Sequence, residues 1–134
     1  MQVQPYVHFN GRCEAALNFY RQVLGGEIVS MMKFSESPQK DIIPPGGENQ
    51  IMHASMRIGD TELFASDGIT DPAHKMSGFS LSVAVASADE GQRVFNALGQ
   101  GGQVTMPFAP TFWTSGFGML TDKFGVSWMV NVNH

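Results

Sequence analysis

Residues 13–28 read Cys13-Glu14-Ala15-Ala16-Leu17-Asn18-Phe19-Tyr20-Arg21-Gln22-Val23-Leu24-Gly25-Gly26-Glu27-Ile28. The apolar residues Ala16, Leu17, Phe19, Tyr20, Val23 and Leu24 recur by threes and fours, the spacing of one helix face. Gly25-Gly26 supplies the left-handed stop that ends a helix, and Ile28 to Phe34 then reads as a strand. The same signals return 76 positions later, where Phe95 matches Phe19, Gly101-Gly102 match Gly25-Gly26, and Val104 matches Ile28. A helix, a double-glycine stop and a strand, met twice, make the chain a repeat of one unit.

Working outward, Val3 to Asn10 reads as a strand that ends at the Asn10-Gly11 turn. The polar stretch Ser35 to Asn49 holds Pro38, Pro44-Pro45 and Gly46-Gly47 and reads as a loop. Gln50 to Ile58 and Thr61 to Ala65 form a hairpin through Gly59-Asp60. After a loop over Asp67 to Ser77, with Asp71-Pro72 inside it, Phe79 to Ala86 alternates large and small side chains. Such alternation marks a half-buried strand, and its small face leaves room for another group. Ser87 with Glu90 three residues on is the capping-box pattern for a helix running to Leu98. Val104 opens a further strand, and Gly116–Asp122 with Val126–Val132 make a last hairpin turned at Phe124-Gly125. The expected fold is α+β: two βαβββ modules, about 1–67 and about 78–134, within one domain. A small sheet with one helix is marginal alone, so the modules are expected to pack together.

Composition narrows the function. The chain has 134 residues, is 43% hydrophobic, and carries a net charge of −4 from 8 Lys and Arg against 12 Asp and Glu. No basic field exists to gather phosphate backbones, which argues against nucleic acid. One cysteine excludes an internal disulfide framework and a cysteine-rich zinc site. No apolar run approaches the ~20 residues a membrane span needs. Residues 1–5 show neither a charged nor an apolar leader segment, so a cytoplasmic location is expected. Nine methionines, several on strand faces, suit core packing or an adaptable pocket lining. Few charges beside much apolar content hint at an oligomer that hides surface.

A family likeness rests on Pro5-Tyr6-Val7, Phe9-Asn10-Gly11, Cys13, Ala15-Ala16, Phe19-Tyr20 and Gly25-Gly26-Glu27. It continues through Met52-His53-Ala54, Gly101-Gly102, Val104, Phe112-Trp113 and Asp122-x-Phe124-Gly125-Val126-x-Trp128-Met129-x-Asn131. In this order the chain resembles the PhnB-like branch of the vicinal oxygen chelate superfamily, which includes glyoxalase I, bleomycin-resistance proteins and extradiol dioxygenases. The resemblance implies paired βαβββ modules curled into an open cleft, usually in a homodimer. It also implies four His or Glu ligands on the first and last strands of the modules. Alignment puts those positions at Pro5, at Ser80 or Ser82, at Met129, and near Glu62. Proline and methionine offer a hard divalent ion nothing useful, and one carboxylate does not hold a metal. No cofactor is therefore expected.

His53, Ser55 and Arg57 alternate into one polar strand face, which either lines a ligand site or is a solvated outer face. Arg57 is the expected cation for an anionic ligand. His8 either reaches the cleft or faces the helix or solvent, and His74 and His134 are expected to titrate freely in water. Cys13, at a helix start, either packs or carries a reactive thiol. Glu62 and Asp67 are either an acid/base pair or, for Asp67, a turn cap. Phe112-Trp113, among polar residues, forms either a binding wall or a dimer seam. Asn131 shares the parity of Ser127 and Met129 and offers an amide, whereas Trp128, Val130 and Val132 face the helix.

The ligand-site candidates are thus His53, Arg57, Glu62, Ser82, Phe112, Trp113, Met129 and Asn131. The first functional expectation is a protein that binds an unidentified small organic molecule in its cleft without a metal. A second is a divalent-metal lyase or dioxygenase-like enzyme with Glu62 and a further histidine as ligands. The third is a metal-free enzyme using His53 or Glu62 as general base.

Overall fold

The computed structural model describes residues 1–43, 45–68 and 75–133. The Pro44-Pro45 pair falls partly, and the Asp71-Pro72 turn, His74 and His134 wholly, outside the described residues. The chain divides into two compact units, Met1–His74 and Lys75–His134.

The first unit runs β1 (Tyr6–His8), α1 (Cys13–Leu24), β2 (Glu27–Lys33), β3 (Ile51–Ile58) and β4 (Thr61–Ser66). Its sheet has the order β1-β4-β3-β2, with β1 parallel to β4 and the other pairs antiparallel. Gly25 ends α1 in the left-handed conformation, φ 74°, its N–H donating to the Arg21 carbonyl oxygen. Gly26 passes so close to β3 that a Cβ would lie 2.8 Å from the Arg57 carbonyl oxygen. The expected Val3–Asn10 strand is shorter, because regular pairing with β4 covers Tyr6 to His8. Asn10 and Gly11, both at positive φ, turn the chain into α1. The polar loop before β3 contains short 3-10 turns at Phe34–Glu36 and Lys40–Ile42.

The second unit repeats the plan with β5 (Leu81–Val85), α2 (Ala88–Leu98), β6 (Gln103–Ala109), β7 (Phe117–Thr121) and β8 (Ser127–Val132). The order β5-β8-β7-β6 reproduces the first sheet strand for strand, as duplication requires. The Ser87 hydroxyl accepts the Glu90 N–H at 3.2 Å and caps α2. Glu90 reaches the Ala86 N–H, at 3.4 Å, instead of closing the box on Ser87. Gly101 takes the left-handed φ of 76°, as Gly25 does.

Each helix packs on one face of its own sheet. Val7, Ala54, Met56, Leu63 and Ala65 are buried with Ala16, Leu17 and Tyr20 of α1. Val85, Leu120, Trp128, Val130 and Val132 are buried with Val94, Phe95 and Leu98 of α2. In β1, β3, β4, β5, β7 and β8 the alternating residues therefore point away from the helix, and each unit carries its own candidate residues on that face.

Candidate functional site

In the first unit the helix-averted face gathers Tyr6 and His8 from β1, Glu62, Phe64 and Ser66 from β4, and His53, Ser55 and Arg57 from β3. Register explains the grouping: Tyr6 lies beside Phe64 and His8 beside Ser66, while Ser55 lies opposite Phe64 and Arg57 opposite Glu62. Four rings meet there. Centroid separations are 4.9 Å for Tyr6–His8, 5.8 Å for Tyr6–His53, 6.3 Å for Tyr6–Phe64 and 5.7 Å for His53–Phe64. The Tyr6 hydroxyl is 3.4 Å from His53 Nδ1, and His8 Nδ1 is 3.1 Å from the Ser66 hydroxyl. The Ser55 hydroxyl donates to Glu62 Oε1 at 2.6 Å, a charge-assisted bond.

Arg57 is exposed on this face and forms an ion pair. Glu27 and Glu62 both stand opposite it, on its two neighbouring strands. The guanidinium turns to Glu27, with Nη1 3.3 Å from Oε2.

The second unit offers different chemistry on the corresponding face. Ser82 and Ala84 of β5 stand beside Met129 and Asn131 of β8. Phe117 and Met119 of β7 lie opposite Asn131 and Met129. Trp113 leans on Phe117 with centroids 5.3 Å apart, and its indole N–H donates to Asn131 Oδ1 at 3.4 Å. Phe112 meets Trp113 edge-on and is 98% exposed, so it walls nothing within this unit. Ser82 lies on this face, and so does Ser80 just before β5, whose hydroxyl is 2.7 Å from that of Ser127. No ionisable side chain stands at these paired positions of β5, β7 and β8.

The remaining candidates separate cleanly. Glu62 is on the averted face, but Asp67, just beyond the end of β4, is buried and is no acid/base partner for it. Asp67 Oδ1 accepts the N–H groups of Gly11 and Cys13, each at 2.8 Å, and Oδ2 accepts that of Ile51 at 2.7 Å. It caps α1 from across the unit, a task that Arg12, the residue before the helix, does not perform. Cys13 is fully buried, and its thiol pKa is pushed up to about 12 from 9.0 by burial first, then by the charges of Asp67 and Glu14. These outweigh the helix dipole, so the reactive-thiol alternative is set aside. The unfolded chain ionises this thiol first, so its contribution to stability is full below pH 9.0 and is lost as pH rises toward about 12. Cys13→Ala is expected to flatten that alkaline decline in thermal melts; equal slopes in the two proteins would refute the assignment.

Among the described residues the implied divalent ion finds no fitting donor set. Pro5 continues the parity of buried Val7, so the averted-face positions of β1 are Tyr6 and His8 instead. Among the described residues, no three His, Cys, Asp or Glu side chains gather closely enough to hold an ion. Sequence reading passed over Tyr6 and Phe64, although Tyr6 shares parity with His8, and Phe64 with Glu62.

Residues 1–131 match the family described as 3-demethylubiquinone-9 3-methyltransferase. Protein YjdN of Escherichia coli is 36% identical over 98% of this chain and 95% of its own length. The solved structure of protein PA1353 from Pseudomonas aeruginosa is 45% identical, with a TM-score of 0.90 over 99% of this chain and 98% of that one. A Bacillus cereus structure described as a putative 3-demethylubiquinone-9 3-methyltransferase, PhnB protein, is 28% identical. Its TM-score is 0.84, over 99% of this chain and all of its own. The chain belongs to the PhnB-like family. A glyoxalase-related enzyme from Fulvimarina pelagi and the fosfomycin resistance protein FosX from Mesorhizobium loti, at 18% and 14% identity, share the fold. This PhnB-like chain thus has the vicinal oxygen chelate fold, with two repeated units. No helix among its described residues is long and apolar enough to cross a membrane.

Proposed function

We propose that this PhnB-like protein binds a small organic ligand against the helix-averted face of its first sheet, without a divalent metal ion. One observation carries the reading: Tyr6, His8, His53 and Phe64 form a ring cluster beside the Ser55–Glu62 pair, on the face opposite α1. Rings supply contact area, while hydroxyl, imidazole and carboxylate groups fix orientation, the usual division of labour in a ligand site. The second unit, taken by itself, presents Met129, Trp113 and Asn131 on its own helix-averted face, an adaptable apolar surface with an amide.

Methyl transfer, named in the family description, is not part of this reading. Each unit is a four-stranded sheet with one helix, unlike the doubly wound parallel sheet that seats nucleotide cofactors at a glycine-rich turn. Pairing into a homodimer belongs to the reading. It is supported by exposed apolar residues in the second unit, Phe79, Val104, Met106 and Phe112 among them.

The test is elemental analysis of dialysed, untagged protein for Zn, Ni, Fe, Mn and Mg, followed by a thermal-shift screen of organic compounds of mixed charge. We expect metal-to-chain ratios near zero, together with hits whose stabilisation is lost in Phe64→Ala or His53→Ala. A ratio approaching one metal per chain, or hits indifferent to these substitutions, would overturn the reading. In the metal-bound case His8, His53 and Glu62 are the first ligands to substitute.

A further inference from the structure

We infer that the first unit's face selects a small organic cation, of the N-methylated or aromatic ammonium class, rather than an anion. This rests on the ligand-binding reading and specifies its ligand. The argument begins with a choice between two carboxylates. Arg57 stands opposite Glu27 on one side and Glu62 on the other, and its guanidinium goes to Glu27. The one expected cation is thereby paired with Glu27 in an exposed ion pair and not with Glu62. Glu62 has the Ser55 hydroxyl as its hydrogen-bond partner and, among the described residues, no cation within ion-pair distance. Its charge is the uncompensated one on the face.

Beside that charge lie the ring surfaces. Phe64 follows Glu62 by two residues on the same side of β4, and Tyr6 and His53 flank Phe64. The rings are tilted by 33–43° relative to one another, so they form a shallow, faceted platform instead of a closed stack. A cation over an aromatic face is attracted by the ring quadrupole, and quaternary ammonium groups suit such surfaces because they need no hydrogen-bond donor. A carboxylate at the platform's edge adds Coulomb attraction of the same sign preference. The position equivalent to Glu62 in the second unit is Ser127, opposite Thr121, so the preference belongs to the first unit.

The experiment titrates the full-length protein with three probes of similar shape, phenyltrimethylammonium, tert-butylbenzene and benzoate. Binding is followed through the ring-proton resonances of Tyr6, His8, His53 and Phe64. The expected result is that phenyltrimethylammonium binds about tenfold more tightly than either other probe and shifts these resonances. In Glu62→Gln, whose amide oxygen still accepts from Ser55, that advantage is expected to fall several-fold with the melting temperature unchanged. Tyr6→Leu should weaken the ammonium probe more than benzoate, since only the cation gains from the ring quadrupole. Equal or reversed preference among probes that still shift these rings would overturn the cation assignment and leave the ligand-binding reading standing. Failure of phenyltrimethylammonium to shift the rings, or an advantage intact in Glu62→Gln, would also overturn the cation assignment. The mixed-charge screen tests the broader reading separately.

Discussion

Replacing Asp67 with alanine should lower the melting temperature by roughly 15 °C, the largest loss expected from a single change in the first unit. The carboxylate accepts three backbone N–H groups, from Gly11, Cys13 and Ile51. Those of Cys13 and Ile51 are buried, and a buried donor left without its acceptor costs about 1–3 kcal/mol, giving about 4 kcal/mol for the pair. The same side chain joins the start of α1 to the start of β3, so its loss loosens two elements at once. Asp67→Asn separates charge from shape. Its amide oxygen can keep Gly11 and Cys13, but its NH2 group then faces the Ile51 N–H, and about half the loss should remain. Calorimetry of both variants is the check. An alanine variant melting within a few degrees of the parent would show that water substitutes for the carboxylate.

Gly102→Ala is the second large effect, and it arises from backbone rather than from a hydrogen bond. A Cβ at Gly102 would collide with the Thr121 carbonyl oxygen and lie 2.9 Å from Asp122 Cα. Neither atom can rotate away, since both belong to the chain entering the β7–β8 turn. Asp122 anchors that turn: its carboxylate accepts the N–H groups of Phe124 and Val126 and the Trp128 indole N–H, at 2.8, 3.0 and 2.8 Å. Relief therefore requires β6 to move off the sheet. Overpacking of this kind costs about 3 kcal/mol, so a fall of roughly 10 °C is expected. Gly26→Ala meets the Arg57 carbonyl oxygen and the movable end of Met56, and should cost less. A Gly102→Ala protein melting like the parent would show that β6 yields freely.

The architecture was legible because its signals are local. The spacing of Leu17, Tyr20 and Leu24, the glycine pairs and the capping Ser87 each act within a turn or two, and α1 lies where the spacing put it, at Cys13–Leu24. The 76-residue offset carried the duplication, since Gly26 and Gly102 stand at equivalent close approaches to a neighbouring strand. The face chemistry was only half legible. Strand parity correctly grouped His53, Ser55 and Arg57, and set Asn131 with Ser127 and Met129. Parity says nothing of which neighbour a long side chain chooses, so the turn of Arg57 toward Glu27 was invisible. Sequence leaves Asp67 open between an acid/base pair with Glu62 and a turn cap, because its partners lie 54 to 56 positions earlier, at Cys13 and Gly11, and 16 earlier, at Ile51. The role of Cys13 was hidden likewise, because burial and the Asp67 charge both come from tertiary structure.

Two units of one topology also bear on how this chain can change. The positions that shape the scaffold have stayed alike in both copies: the left-handed Gly25 and Gly101, and the crowded Gly26 and Gly102. The averted faces have parted company, with imidazoles, a phenol and a carboxylate in one copy, and serine, methionine and an amide at the matching places of the other. Scaffold and recognition surface are thus two separable layers in this chain. A chain built this way can exchange one copy's recognition surface while the other keeps its own, so new chemistry can be acquired without the architecture being discovered afresh.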